Sequence, residues 1–211
     1  MSRNFETLGL FPVPLIKIKF KDHCKYNFPE VEKKDHRPSG WKVPLNTAFP
    51  LIEDDDPLVP YVVRERLKKD LYVSIVQTFE QLNLPTNIDF TQFWYNIYHD
   101  NQGQEKHNHL SWIGSKNLYW SGIYYNKNAS PTTFYRGGGY YQLQRWPDYM
   151  DSSMASVLSA EYFPFVEDGD IILFPPYLEH SVKSKQKPKD DMRMTFSFNI
   201  DVSLNLERSV E

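Results

Sequence analysis

Cysteine is almost absent from this sequence, because Cys24 is the only one in 211 residues. A single thiol excludes an internal disulfide and any structural zinc site that needs two or more thiolates. Disulfide-bonded proteins belong mainly to oxidising compartments, so the lack of a pairing partner favours a reducing environment. We therefore expect a cytoplasmic protein whose fold does not depend on covalent cross-links.

Long hydrophobic runs are also lacking. No stretch approaches the roughly 18 consecutive apolar residues that a membrane-spanning helix requires. The N-terminal sequence MSRNFETLGLFPVP has no unbroken apolar segment after its basic residue, as a signal peptide would have. The sequence therefore predicts a soluble, intracellular protein without a membrane partner.

An excess of positive charge is the third absence. The chain has 24 Lys and Arg against 27 Asp and Glu, a formal net charge of -3. Sequence-independent binding of nucleic acid depends on clustered basic residues that displace counterions. The lysine-rich stretch 183–191 is more typical of a solvated loop than of a binding patch. We find no evidence for a nucleic-acid partner, and the oligomeric state stays open.

Aromatic residues are abundant, at 16% of the chain, and they favour pleated β-surfaces and ligand pockets. Hydrophobic residues make up 40%, as in ordinary globular proteins. All-β folds of this length are commonly single domains. We therefore expect one domain over 1–211, with an N-terminal strand and helix region (1–85) and a barrel core (86–201).

The N-terminal region combines one strand with one long helix. Alternation at the end of 10–20 predicts a half-buried strand, which its prolines place at a sheet edge. A short strand is expected at 47–49. Over 60–82, apolar residues recur at steps of mostly three or four, which predicts a helix packed on a sheet. These residues are Val62, Leu67, Leu71, Ile75, Phe79 and Leu82.

After Pro85 the sequence changes to short aromatic-rich runs separated by Gly, Asn, Pro and Asp. The runs that predict strands are 90–99, 117–126, 132–136, 170–176 and 192–201. Several short strands without intervening helices indicate a mainly β fold, an antiparallel sandwich or jelly roll. The glycine-rich segment 137–154 is either a lid over a site or a plain hairpin loop.

Three of the six histidines have a spacing that suits a metal site. In an extended segment His107 and His109 project from the same face, so both imidazoles can reach one cation. His180 follows the apolar run DGDIILFPPYLE and could supply a third ligand from a distant strand. The HxH pair alone is a weak signal. His23, His36 and His99 have no such spacing and are expected to be surface or hydrogen-bonded histidines.

The order of motifs after residue 90 is more specific. The HxH pair is followed by SGIYYN, then by DGDIILFPPYLEH, and then by an arginine that opens RMTFSFN. This order resembles the 2-oxoglutarate- and Fe(II)-dependent oxygenases of the prolyl-hydroxylase-like group, and more closely their phage and bacterial branch. The matching residues are His107 and His109, Ser121 to Tyr125, Gly169 to Pro175, His180 with Val182, and Arg193 to Asn199. The resemblance covers about residues 90–201.

The resemblance implies a double-stranded β-helix, a form of jelly roll, with Fe(II) and 2-oxoglutarate as cofactors. It implies that His107, His109 and His180 are the catalytic metal ligands and that Arg193 binds the distal carboxylate of 2-oxoglutarate. A guanidinium suits this role, because it offers a carboxylate two parallel hydrogen bonds and keeps its charge when buried. The implied enzyme is an oxidoreductase, a dioxygenase that hydroxylates an unidentified substrate. A peptide, a nucleotide and a small metabolite all stay open as its substrate.

One departure from the family pattern concerns His109, which stands where prolyl hydroxylases carry the aspartate of HxD. Three neutral imidazoles leave a divalent ion without the negative charge of that aspartate. Glu105 could supply a carboxylate instead, although its position off the HxH pair disfavours this role. The remaining candidates are Asn96, Tyr98 and Tyr124, each of which either hydrogen-bonds the cosubstrate or fills the core.

Two other functions stay open. A cupin-type metal enzyme that does not use 2-oxoglutarate shares the HxH pair, but it expects a glutamate four or five residues after the second histidine. Positions 113 and 114 hold Ile and Gly. A non-enzymatic jelly-roll module that binds its ligand through surface aromatics is the second alternative, and it would need no iron.

Overall fold

The computed structural model describes residues 13–110, 118–135, 161–184 and 192–202. These ranges contain one long helix and ten strands. The elements are β1 (Ile16–Lys19), β2 (Asn46–Thr47), α1 (Tyr61–Gln81), β3 (Ile88–Tyr98), β4 (Gln104–His107), β5 (Leu118–Lys127), β6 (Thr133–Tyr135), β7 (Glu161–Tyr162), β8 (Asp170–Phe174), β9 (His180–Val182) and β10 (Arg193–Val202). No helix in this part of the chain is both long and apolar enough to span a membrane.

The strands form two antiparallel sheets. The larger has six strands in the order β1-β8-β5-β10-β3-β2, and the smaller has four in the order β4-β9-β6-β7. Strand β1 lies at the edge of the larger sheet, as the prolines before it predict. The predicted mainly β fold with one supporting helix is therefore confirmed.

Helix α1 packs through a single apolar face. Leu67, Leu71, Ile75 and Phe79, each four residues after the last, are all fully buried, and the Phe79 ring lies 6.1 Å from the ring of Trp120 in β5. The apolar face predicted from the sequence extended too far at both ends of the helix. Val62 and Leu82 are exposed, because they lie in the first turn and just beyond the last one, where the helix no longer faces the sheet.

Two hydrophobic cores lie on opposite faces of the six-stranded sheet. The helix-side core contains the buried residues of α1 together with Ile171 and Leu173 of β8. The inter-sheet core contains Ile172 and Phe174 of the same strand, together with Phe134 of the smaller sheet. Because successive strand residues point to opposite faces, β8 is buried on both sides and its sequence is uninterruptedly apolar after Asp170.

Strand β10 is central in the larger sheet and pairs with β3 on one edge and β5 on the other. Its even-numbered residues, Met194, Phe196, Phe198 and Ile200, belong to the helix-side core. Its odd-numbered residues, Arg193, Thr195, Ser197 and Asn199, are buried on the opposite face. One face of this strand is therefore apolar and the other is polar, and the polar face borders the site described below.

Several boundaries differ from the sequence-based expectation. The short strand expected at 47–49 covers Asn46–Thr47, and β4 ends at His107, so His109 lies outside the strand that was expected to carry both histidines. The two-residue strand β7 was not predicted, because its sequence has no recognisable strand pattern. The 137–154 segment, for which a lid or a hairpin loop was expected, lies outside the described residues.

Gly122 of β5 lies directly opposite Phe198 of β10. A Cβ atom added at Gly122 would lie 2.1 Å from Cε2 of the Phe198 ring, which is fully buried. We expect Gly122→Ala to lower the free energy of unfolding by about 1 to 3 kcal/mol, as overpacking of a core does. Urea denaturation measures the change. The double variant Gly122→Ala/Phe198→Leu should recover part of the loss; equal stability of Gly122→Ala and wild type would contradict the close contact.

Candidate metal centre

Three imidazoles converge where β4 and β9 pair. His107 at the end of β4 is the register partner of His180 at the start of β9. His109 follows β4, and its backbone N–H donates to the carbonyl of Pro176 at 2.9 Å. Possible ligand atoms of the three side chains lie within 4.8 Å of one another. The sequence spacing therefore corresponds to a real cluster.

Hydrogen bonds at the Nδ1 atoms determine which nitrogen of each ring is free. The Nδ1–H group of His107 donates to the backbone carbonyl of Glu105 at 2.8 Å, and that of His180 donates to the carbonyl of Leu178 at 3.0 Å. Nδ1 of His109 lies 2.7 Å from Oδ1 of Asn199. Because each of these partners is an oxygen acceptor, Nδ1 carries the proton and Nε2 keeps its lone pair in all three rings.

Burial keeps these imidazoles neutral. Desolvation, with a smaller contribution from the neighbouring His107, lowers the pKa of His109 to about 4. The same causes hold the pKa of His180 well below its ordinary value, and burial also lowers the pKa of His107. At neutral pH all three rings are therefore in the uncharged form that can bind a metal ion.

Glu105 does not complete the set as a carboxylate. Its two carboxylate oxygens accept hydrogen bonds from the backbone N–H groups of Lys42 and Val43, at 2.9 and 3.4 Å. Within the described ranges the cluster contains histidines only. Imidazole nitrogen is a good ligand for divalent iron, zinc, copper and nickel, so three neutral nitrogens fit a transition metal, iron included.

Arg193 lies in the same pocket, and no acidic residue in the described ranges pairs with it. It is 6% exposed, and its Nε and Nη2 atoms are buried without a hydrogen-bond partner. The guanidinium carbon lies 5.1 Å from the ring centroid of Tyr98 and 5.7 Å from that of Tyr125. Burial lowers the pKa of Arg193, but a guanidinium stays protonated at neutral pH. Such a buried, unpaired cation is costly unless an anion binds beside it.

A narrow pocket lies between the two sheets at this site. The three histidines and Arg193 line it, together with Tyr98, and no carboxylate is among its described lining residues. A second hollow beside it is bordered by Trp41, Phe49 and Trp94. The described lining therefore carries one positive charge, that of Arg193, and no negative charge.

The structure brings five of the seven residues expected at the site into one pocket, and it places Asn96 and Tyr124 elsewhere. The Asn96 amide is hydrogen-bonded to the hydroxyls of Thr47 and Ser197. Tyr124 lies in the helix-side core, and its hydroxyl is 2.7 Å from Nδ1 of His23. Strand alternation explains the position of Tyr124, because its neighbours in β5 are the ones that face the pocket side.

Sequence reasoning assigned no role to Tyr125, Ser121 or Asn199. Tyr125 is fully buried beside Arg193, and the other two surround Nδ1 of His109. Ser121 and Asn199 do stand within the motifs SGIYYN and RMTFSFN. Their contact with His109 depends on strand register, which those motifs do not specify.

Comparison with solved structures concerns the fold. HygX from Streptomyces hygroscopicus, crystallised with nickel, 2-oxoglutarate and hygromycin B, has a TM-score of 0.53 at 12% identity over 91% of this chain and 84% of that one. The non-heme alpha-ketoglutarate-dependent epimerase SnoN from nogalamycin biosynthesis has a TM-score of 0.56 at 11% identity, over 90% and 79%. An oxidoreductase of the 2OG-Fe(II) oxygenase family from Burkholderia pseudomallei has 0.50 at 10%, over 81% and 72%. These similarities confirm the predicted double-stranded β-helix.

Comparison with protein families concerns the sequence itself. No curated protein sequence matches the chain. The model of the family described as "Putative 2OG-Fe(II) oxygenase" matches residues 92–199, just over half of the 211 residues. The matched range includes the three clustered histidines and Arg193. The chain therefore belongs to this family of 2OG-Fe(II) oxygenases.

Proposed function

We propose that this protein is a dioxygenase that couples the oxidative decarboxylation of 2-oxoglutarate to hydroxylation of a second substrate. In this proposal His107, His109 and His180 hold Fe(II), and Arg193 binds the distal carboxylate of 2-oxoglutarate. One observation carries the proposal: the buried Arg193 guanidinium, with Nε and Nη2 unpaired, shares a pocket with three neutral imidazoles, and none of the described lining residues is a carboxylate. A divalent metal ion would bind the imidazoles, and a dicarboxylate would pair with the guanidinium.

Bound iron supplies the oxidising chemistry, in which one oxygen atom of O₂ enters the substrate and the other enters the succinate formed with CO₂ from 2-oxoglutarate. The chain supplies binding and orientation. Nε and Nη2 of Arg193 are free to donate to a carboxylate, and this contact orients the cosubstrate along the pocket. Burial raises the pKa of Tyr98 and Tyr125, so both phenols stay neutral beside the arginine.

Family membership favours this enzyme over a cupin-type enzyme or a non-enzymatic jelly-roll module. HygX was crystallised with nickel, 2-oxoglutarate and hygromycin B bound, and we propose a comparable ternary arrangement here, with an unidentified second substrate. We further propose a single domain of phage or bacterial origin and a cytoplasmic location. A reducing environment suits both ferrous iron and the exposed thiol of Cys24.

The first prediction concerns metal binding. Wild type should bind one Fe(II) per chain under anaerobic conditions, and His107→Ala, His109→Ala and His180→Ala should each weaken binding by more than about 100-fold. That exceeds the usual effect of losing a residue that only supports a ligand. Calorimetric titration provides the measurement. His36→Ala serves as the control, because the His36 ring is hydrogen-bonded to the Thr47 carbonyl and is not a member of the cluster. Unchanged stoichiometry and affinity in all three variants would exclude the site.

The second prediction concerns Arg193. Arg193→Met should leave Fe(II) affinity nearly unchanged and weaken 2-oxoglutarate binding. Loss of one partner of a desolvated charge pair costs about 2 to 5 kcal/mol, which corresponds to roughly thirtyfold to several-thousandfold in affinity. Titration of 2-oxoglutarate into the anaerobic iron-loaded protein, followed by its charge-transfer absorption, measures the effect.

Arg193→Lys is the matched variant for this experiment. It keeps the charge but loses the parallel hydrogen bonds, so its affinity should lie between those of wild type and Arg193→Met. If wild type shows no saturable binding, the proposed cosubstrate is wrong. If all three proteins bind 2-oxoglutarate alike, another residue binds its carboxylate.

The third prediction concerns the pH dependence of stability in the metal-free protein. His109 binds a proton near pH 6.5 when unfolded but only near pH 4 in the native state, so acidification between these values favours unfolding. From pH 7 to pH 5, His109 alone should lower the free energy of unfolding by about 2 kcal/mol. Urea denaturation at both pH values should show a smaller loss in His109→Asn than in wild type. An equal loss would mean that His109 is not held neutral by burial.

A further inference from the structure

A row of three polar side chains crosses the middle of the six-stranded sheet. Asn199 of β10 is the register partner of Gln92 in β3 and of Ser121 in β5. Asn199 and Ser121 are 2% and 0% exposed, respectively. Polar side chains rarely occupy the centre of a sheet unless their hydrogen-bonding groups are satisfied, so each contact in this row needs an explanation.

The hydrogen bonds in the row have a definite direction. Nδ2 of Asn199 donates to Oε1 of Gln92 at 2.5 Å. Oδ1 of Asn199 then accepts from the Ser121 hydroxyl at 2.9 Å and from Nδ1–H of His109 at 2.7 Å. Ser121 Oγ also lies 2.7 Å from the same Nδ1 atom. Gln92 therefore orients the Asn199 amide so that its oxygen faces the histidine.

His109 differs from the other two histidines in how its ring is held. Nδ1 of His107 and Nδ1 of His180 are each bonded to the backbone carbonyl of the residue two positions earlier, at Glu105 and Leu178. His109 follows the end of β4, and its ring partners, Ser121 and Asn199, come from two strands of the other sheet. The ring orientation of His109 therefore depends on side chains distant in sequence.

We propose that Asn199 is a positioning residue for metal binding: by accepting the Nδ1 proton of His109, and with Gln92 fixing its own orientation, it presents Nε2 of His109 to the metal. This inference rests on the proposed metal centre. A residue that accepts the N–H of the non-ligating ring nitrogen holds a metal-binding histidine in one tautomer and one orientation. Such a partner matters more for an imidazole than for the aspartate of the HxD pattern, because a carboxylate has no tautomer to select.

The test compares two substitutions at one position. Asn199→Leu is similar in size and removes the acceptor, so Co(II) affinity should fall by about 10- to 100-fold, and the visible spectrum of the Co(II)-loaded protein should change. Asn199→Asp keeps an acceptor toward His109, while Gln92 can turn its amide to donate to the second carboxylate oxygen. Its Co(II) affinity should equal or exceed that of wild type, because a carboxylate raises the basicity of the ligand.

The matched control is Asn96→Leu. Asn96 is equally buried in the neighbouring strand β3, but it is hydrogen-bonded to Thr47 and Ser197 rather than to a histidine. This variant should lower the thermal unfolding temperature of the metal-free protein and leave Co(II) affinity and spectrum unchanged.

Ser121→Ala is a milder variant for the case that Asn199→Leu does not fold. It should weaken Co(II) binding less than the loss of Asn199 would.

The outcomes separate this inference from the proposed function. If wild type binds no Co(II), the metal centre itself is wrong and the positioning role is lost with it. If wild type binds Co(II) and Asn199→Leu binds equally well, the metal centre stands and Asn199 has a structural role only. If Asn199→Asp binds as weakly as Asn199→Leu, or the Asn96 control loses as much affinity, acceptance of the His109 proton is not what Asn199 contributes.

Discussion

Pairing of β10 on both edges is the constraint on which the rest of this structure depends. A strand that pairs on both sides forms its backbone hydrogen bonds within the sheet. Its two faces therefore differ only in the side chains that they carry. The even-numbered residues hold α1 and the sheet together through Phe196, Phe198 and their neighbours. The odd-numbered residues begin at Arg193 and end, within the site, at Asn199. One strand therefore carries both the largest core and the polar side of the pocket, and neither can shift register without the other.

Charge is distributed unusually in the pocket. Arg193 is buried beside two neutral tyrosines, the imidazoles are neutral, and the Glu105 carboxylate is held by backbone N–H groups of Lys42 and Val43. An unliganded protein with this arrangement sacrifices stability, because a buried cation without a partner is unfavourable. Such a local conflict is expected at functional sites rather than elsewhere in a fold. A dicarboxylate bound as proposed would relieve it.

Much of the fold was predictable, because it follows from local patterns. The four-residue steps from Leu67 to Phe79 indicated α1, and the apolar run after Asp170 indicated a strand, which the structure shows to be buried on both faces. The three histidines were predicted from spacing and motif order. The position of Tyr124 was not predictable, since Tyr124 and Tyr125 are both fully buried and nothing local decides which of them faces the site. The contact between His109 and Asn199 depends on register across two sheets, information that no single segment contains.

The position of β10 also has a consequence for biosynthesis. It is the last strand in sequence among the described elements, yet it lies in the centre of the larger sheet between β3 and β5. A nascent chain emerging from the ribosome therefore exposes two open strand edges until β10 is synthesised, and open edges are templates for intermolecular pairing. Since Arg193 pairs with Tyr98 about 100 residues earlier, closure of the sheet is a slow, non-local step. We therefore expect the nascent protein to be most prone to aggregation before β10, which begins at Arg193, has paired with β3 and β5.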